Sequence, residues 1–340
     1  MTKSTDRSGA GTAESYPSGS GRARVVVGID GSPGSRRALV HGVIAAAQRD
    51  ADLDVVTSYA IEPYYLDGAP IDVTSVAGMR DDTRIRARAL VDEVQQEVTV
   101  SAVPGIRGVA VRLIVSEGPA AQVLVDRSEG ADLLVVGSRG RGAVRSALLG
   151  SVSLHCVTHA SCPVVVMHPS VGVAGSPRVV VGVDGSAGAR AALAAAIDEA
   201  GRMDAEVEVV VTYALAGYWT DLATVFVPSV DEIRRDLQQR TERLVGDVLA
   251  ERPTNGGPEA PSVRIVVLEG SPGDVLVDRG RTADLLVVGS RGRGALRGLL
   301  LGSVALHCAM HALGPVMVVH PLRDRSKAAP VSAEPAMADG

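Results

Sequence analysis

Residues 131–156 read ADLLVVGSRGRGAVRSALLGSVSLHC, and residues 283–308 read ADLLVVGSRGRGALRGLLLGSVALHC. The stretches differ at four places, Val144/Leu296, Ser146/Gly298, Ala147/Leu299 and Ser153/Ala305. Each starts with an apolar run too short for an ordinary helix and breaks at Gly-Ser-Arg-Gly. Nine residues later it resumes at Gly-Ser, which opens a second apolar segment. A duplication this close predicts two copies of one unit.

Working outward, each copy opens on the same β-branched strand and acidic turn, Arg24 to Ser32 and Arg178 to Ser186, with Val183 in place of Ile29. Ala-rich helical segments follow at Ser35 to Arg49 and Ala189 to Arg202. Val-rich runs at Leu53 to Tyr59 and Val207 to Tyr213 read as buried strands. Beyond a variable stretch, apolar residues at three- and four-residue spacing predict helices over Arg80 to Gln96 and Val230 to Ala250. Third strands are expected at Val109 to Val115 and Val263 to Leu268, and fourth strands at Asp132 to Val136 and Asp284 to Val288. The glycine motif, a helix from Ser151 to His159, and last strands at Pro163 to His168 and Pro315 to His320 close the units. Apolar strands alternating with helices predict an α/β fold, doubly wound around a parallel sheet, twice over. The domains are expected at 22–169 and 178–321. A Gly/Ser/Pro linker joins them at 170–177, and 1–21 and 322–340 read as disordered tails.

Composition narrows the function. The 340-residue chain has a formal net charge of −5 and 2% aromatic residues, so it has neither the basic field nor the stacking surfaces of a nucleic-acid binder. No export signal and no run of 18 apolar residues is seen, so no membrane association is expected. Three cysteines, Cys156, Cys162 and Cys308, make a disulfide framework improbable and fit a reducing cytoplasm. The spacing of His155, Cys156, His159 and Cys162 hints at a metal site. The second copy has Gly314 where Cys162 stands, so helical surface and core roles are preferred and no metal is assigned.

In an open parallel sheet, ligands bind beyond the carboxyl ends of the strands, where the strand order reverses. Two loops qualify in each copy. The first carries Gly28 and Asp30 (Gly182 and Asp184), the second the glycine motif. Gly137 and Gly140 (Gly289 and Gly292) could take positive φ and bring backbone N–H groups close to phosphate oxygens. Gly150, Ser151 and Val152 (Gly302, Ser303 and Val304) would aim a helix N-terminus at the anion, with the serine hydroxyl capping the helix or binding phosphate. Ser138, Arg139 and Arg141 (Ser290, Arg291 and Arg293) lie within the same loop, and Arg145 and Arg297 beyond it. Asp30 and Asp184 could accept from a base amine or a ribose hydroxyl, or the stretches Asp30-Gly31-Ser32 and Asp184-Gly185-Ser186 could serve only to cap the next helix. Gly28 would leave room for a planar ring. No hydrolase triad and no Gly-Lys-Ser/Thr is present, so a dedicated catalyst is not expected.

The pattern Gly-x2-Gly-x9-Gly-Ser after a first strand ending in Asp, matched over Arg24 to Pro169 and Arg178 to Pro321, resembles the universal stress protein family. The resemblance is to tandem two-domain members of its ATP-binding subclass. It implies a five-stranded sheet of order 3-2-1-4-5 per domain, the last strand pairing with that of another domain. It therefore also implies an internal pseudo-dimer and further homodimerisation. It implies ATP, with Mg2+, or ADP or AMP, its base near Asp30 and the backbone around Tyr59 (Asp184 and Tyr213) and its ribose and phosphates along the glycine motif. The function implied is nucleotide-dependent stress regulation. The rivals are a slow nucleotide hydrolase and a nucleotide-free dimerisation module.

Overall fold

The computed structural model describes residues 22–59, 73–99, 103–141, 148–169, 175–214, 229–252, 260–292 and 301–321. Both tails, most of the linker, and Arg145, Arg293 and Arg297 of the motif loops lie outside the described residues.

The first domain runs β1 (Arg24–Gly28), α1 (Pro33–Gln48), β2 (Asp52–Tyr59), α2 (Val73–Thr99), β3 (Val111–Glu117), α3 (Ala120–Ser128), β4 (Leu133–Gly137), α4 (Ser151–His159) and β5 (Val164–Met167). The second repeats it as β6 (Arg178–Gly182), α5 (Ala187–Met203), β7 (Glu206–Tyr213), α6 (Val230–Ala250), β8 (Val263–Glu269), α7 (Pro272–Gly280), β9 (Leu285–Gly289), α8 (Ser303–His311) and β10 (Val316–Val319). All expected elements form. β3 starts at Val111 rather than Val109, because Ile106–Gly108 closes into a 3-10 turn just before it. The helix expected from Arg80 begins earlier, at Val73.

The ten strands form one sheet of order β3-β2-β1-β4-β5-β10-β9-β6-β7-β8. Each half is parallel with the order 3-2-1-4-5, and only the central seam, β5 on β10, is antiparallel. The internal pseudo-dimer is thus a covalently linked, continuous sheet. The sequence explains its parallel halves: Val25, Val26 and Val27 are all fully buried, as a strand covered on both faces must be. One face packs α1, α2, α5 and α6 through Leu39, Val91, Leu193 and Val248; the other packs α3, α4, α7 and α8 through Leu124, Cys156, Leu276 and Cys308. Arg49 at the end of α1 pairs with Glu199 of α5, which also accepts from Arg202 at 2.8 Å, so one ion-pair cluster ties the domains away from the seam.

Each second strand carries one fully buried carboxylate. Asp54 accepts two 2.9 Å bonds from Arg112, and Glu208 accepts 2.5 and 2.6 Å bonds from Arg279 and further pairs with Arg178 and Arg264. Burial pushes the Glu208 carboxyl up, but the Arg279 hydrogen bonds and the three guanidinium charges outweigh it and leave the group below its ordinary value. A carboxylate depressed in the folded state stabilises the fold above its unfolded pKa and loses that contribution as pH falls.

Two outcomes follow from this packing. Met317→Ala, at the seam opposite Val165, removes a side chain that is 2% exposed and should cost about 2–5 kcal/mol in denaturant unfolding; Leu154→Ala, at 41% exposure, should stay within about 0.5. Glu208→Gln should cost about 1–3 kcal/mol at neutral pH, the half-exposed arginines being partly screened. Relative to that variant, wild type should lose its advantage as pH falls below the ordinary glutamate value of 4.5, read by urea unfolding across pH.

Candidate functional site

The reversal of strand order falls between β1 and β4, and β6 and β9 repeat it. Beyond those strand ends lie two clefts, of about 440 Å³ in the first domain and 720 Å³ in the second.

The floor is made by backbone meeting backbone. A Cβ on Gly137 would stand 2.6 Å from the carbonyl carbon of Gly34, and one on Gly34 would stand 2.7 Å from the Arg139 carbonyl oxygen. The glycine loop can therefore lie directly on the start of α1. Gly289 and Gly188 repeat the contact. The expected reason for these glycines was different: neither Gly137 nor Gly140 adopts positive φ. Close approach requires them, not turn geometry.

Asp30 stitches the two loops together. Its Oδ1 accepts from the Ser32 N–H at 2.9 Å and its Oδ2 from the Arg141 N–H at 2.9 Å. A Cβ on Gly140 would press within 2.5 Å of that Oδ2. Asp184 accepts from the Ser186 N–H, and Gly292 stands against it in the same way. Burial raises the Asp30 pKa, but hydrogen bonds from Ser32, Arg141 and Ser35 outweigh it and hold the carboxyl below the usual carboxylate range. Asp30 is not the helix cap. Ser32 is, its Oγ accepting from the Ser35 N–H, and Ser186 caps α5 likewise.

The helix starts differ in what they leave available. α1 and α5 are closed by those serine caps, whereas α4 and α8 begin at Gly150 and Gly302 with no side-chain cap. Their first-turn N–H groups and positive dipole end face the cleft. With Gly150 in the cap position, Ser151 is the first helical residue and does not cap; it and Ser303 are exposed and line the clefts beside Val152 and Val304. Arg139, Arg141 and Arg291 also line them, and Arg293 lies outside the described residues.

Several expected site residues lie elsewhere. Tyr59 and Tyr213 do not line the clefts. Gly28, the end of β1, is level with Val56, and Gly182 with Val210, so the cleft walls are Val56 to Ser58 and Val210 to Thr212. Each tyrosine is three positions beyond its level residue, about 10 Å along the strand. Their carbonyls accept from Gly118 and Gly270, and the Tyr213 hydroxyl accepts from Arg234. Ser138 and Ser290 are buried behind the loop; their N–H groups bond to the Met167 and Val319 carbonyls, and their carbonyls accept from Gly150 and Gly302. Gly28 and Gly182 do line the clefts, but the space a Cβ would fill is taken by Leu124 and Leu276, at 2.7 and 2.6 Å, rather than left for a ring. Those leucines went unnoticed in the sequence, although their place one helical turn after a Gly turn was visible.

Two domains of one topology around one duplicated glycine loop make a family comparison decisive. The universal stress protein family profile matches residues 21–168 and 176–320. The chain belongs to the universal stress protein family. Universal stress proteins Rv2623 and Rv2005c of Mycobacterium tuberculosis are each 35% identical to it, over 309 and 299 residues, covering 88% and 87% of this chain and 97% and 96% of theirs. A universal stress protein structure from Archaeoglobus fulgidus superposes with a TM-score of 0.59 at 19% identity, covering 88% of this chain and 96% of that one, and shares the fold.

Other chemistry is poorly provided for. Among the described residues no three or more His, Cys, Asp or Glu side chains converge to hold a metal, and no helix is long and apolar enough to cross a membrane. His155 and His159 stack on one another along α4, as do His307 and His311 along α8. Burial pushes the thiols of Cys156, Cys162 and Cys308 up to about 12, which makes them packing groups rather than nucleophiles.

Asp30→Ala should release the Arg141 and Ser32 amides. A charge-assisted bond contributes about 1.5–3 kcal/mol, so amide hydrogen exchange at these positions should accelerate by about tenfold or more, while β1 amides stay protected. Unchanged exchange would refute the stitching role.

Proposed function

We propose that this universal stress protein binds an adenine nucleotide, ATP, in each domain, and that it serves as a nucleotide-dependent stress regulator rather than a catalyst. The observation carrying this reading is the uncapped start of α4 and of α8, set beside a glycine loop packed on the preceding helix, which in the first domain Asp30 ties in place. Bare N–H groups at a helix N-terminus suit phosphate oxygens, and arginines at the rim add positive charge. Each carboxylate oxygen of Asp30 can accept a second bond, so contact with a base amine is compatible with its structural role. ADP and AMP would use the same cradle. Mg2+ would travel with the phosphates, completed by water, since the described residues offer it no cage of their own.

The groups present support holding rather than cleaving. Asp30, with a depressed pKa and both oxygens already accepting N–H groups, is a poor general base. A reducing cytoplasm belongs to the same reading, matching three buried, free thiols. The seam consumes β5 and β10 within one chain, so a homodimer would have to use another surface.

Ser151→Asp/Ser303→Asp tests the proposal without unfolding the helices. An acid at the first helical position is favourable to the helix dipole by about 0.3–1 kcal/mol. The same charge repels a phosphate about 4 Å away by roughly 1–4 kcal/mol. The melting temperature should hold or rise, while calorimetric ATP affinity falls about tenfold or more. Absence of saturable ATP binding by wild type, or equal binding by the variant, overturns the proposal. ATP turnover well above that of the variant would make the protein an enzyme.

A further inference from the structure

Each domain carries a histidine pair that the nucleotide reading leaves unused. His155 and His159 stand four residues apart on α4, and His307 and His311 on α8, so each pair shares one helix face and its rings stack, with centroids 4.2 and 4.4 Å apart. In both pairs the Nδ1 of the second ring lies 3.0 Å from the carbonyl oxygen of the first histidine. A carbonyl only accepts, so that Nδ1 carries the proton and the Nε2 of the neutral ring keeps its lone pair. The second ring of each pair is exposed and is the last residue of its helix, where unpaired carbonyls and the negative end of the dipole favour a cation. The second domain adds a carboxylate. Asp274, in the first turn of α7, brings its Oδ1 to 3.1 Å from the His307 Nε2. A Cβ on Gly273 would meet the His307 Cδ2 at 2.8 Å, so this ring seats on bare backbone with its Cδ2–Nε2 edge turned to α7. The first domain has Ala121 and Gln122 in these places, and Gln122 donates to Asp126 at 2.7 Å instead.

We infer that each pair chelates one late divalent transition-metal ion, Zn2+, Ni2+ or Cu2+, through its two imidazoles, and that the second-domain site is the tighter because Asp274 orients His307. Imidazole suits these ions, and two histidines four apart on one helix face is a spacing that zinc sites use. Two nitrogens at 2.0–2.1 Å from one tetrahedral ion stand roughly 3.3 Å apart, close to the separation at which these rings already sit. A metal-bound imidazole is usually fixed by a partner on its other nitrogen. The backbone carbonyl supplies that partner to His159 and His311, and Asp274 supplies it to His307. Among the described residues no third side chain converges on either pair, so water fills the remaining positions. The residue after the first histidine, the general base of a helical zinc hydrolase, is here Cys156 or Cys308, both fully buried, so the sites bind an ion without hydrolytic machinery. Nothing in this inference rests on nucleotide binding.

The test titrates the full chain, freed of nucleotide so that phosphate brings no ion of its own, with Ni2+ and with Zn2+ by calorimetry. Wild type should take up one ion per domain at two distinguishable affinities. His311→Ala should remove the tighter event and His159→Ala the weaker, each by at least the roughly 10–100-fold that loss of an outer partner costs, and the double variant should take up neither. Asp274→Asn should weaken the tighter event about tenfold and bring it near the weaker one. Mg2+, which prefers oxygen ligands, should not compete at equal concentration. Because the substituted side chains are exposed, every variant should melt close to wild type without ion, which separates lost uptake from lost fold. Wild type without saturable uptake, uptake unchanged in the double variant, or Mg2+ competing as well as Zn2+ overturns the inference. An Asp274→Asn variant that keeps the second-domain lead overturns the order of the two sites.

Discussion

The architecture depends on one contact: the glycine loop after β4 lies on the first turn of α1 with no side chain between them. Gly137 over Gly34, and Gly289 over Gly188, approach so closely that any Cβ would force the backbones apart. That contact sets the depth of the cleft. It also places the Arg141 N–H where Asp30 can take it and lets Ser138 reach β5. Glycine here is used for the absence of atoms rather than for backbone freedom, because the φ values are ordinary. A cleft floored by backbone is what remains when two chain segments are packed this closely and a neighbouring helix starts without a cap.

The fold was legible because its signals are periodic and duplicated. Val-rich runs of strand length, Ala-rich helices and a repeated motif leave little choice of architecture, and the matching halves corrected one another. The cleft was partly legible: Asp30, Gly140 and Gly150 stand where the motif reading put them. What escaped was information held in register. Tyr59 falls outside because β2 runs on past the end of β1, and that offset is written in strand pairing rather than in strand composition. Ser138 sits amid cleft residues in sequence yet faces the interior, since alternation along an extended loop sends neighbours to opposite sides. The role of Asp30 as a stitch also needed coordinates, because its partner lies 111 residues away.

The copies diverge where the sheet's shared geometry places no demand. Their strands, glycine loops and capping serines are interchangeable. The second helix of each unit is free to vary, because a helix packed on the sheet by one apolar stripe can carry any charge on its outer faces. Thr83 and Ala89 on one such helix stand where Leu237 and Arg243 do on the other, while Arg86/Arg240, Glu93/Asp247 and Glu97/Glu251 keep their charge. Duplication followed by drift on this wall gives two clefts with one chemistry at the floor and small differences at the side.

The seam gives these clefts a common support. Ser138 donates to the carbonyl of Met167, the last residue of β5, and Ser290 to that of Val319, the last of β10. Both glycine loops therefore hang from the two strands that pair across the domains. His168, next along from Met167, is buried, and desolvation lowers its pKa to about 4. A neutral, buried imidazole is a packed element rather than a charge. The antiparallel register of Val166 with Val316 joins the end of β5 to the start of β10. Fusing two domains through this seam therefore places their clefts on one rigid element, which separate chains would achieve only at concentrations that favour dimerisation.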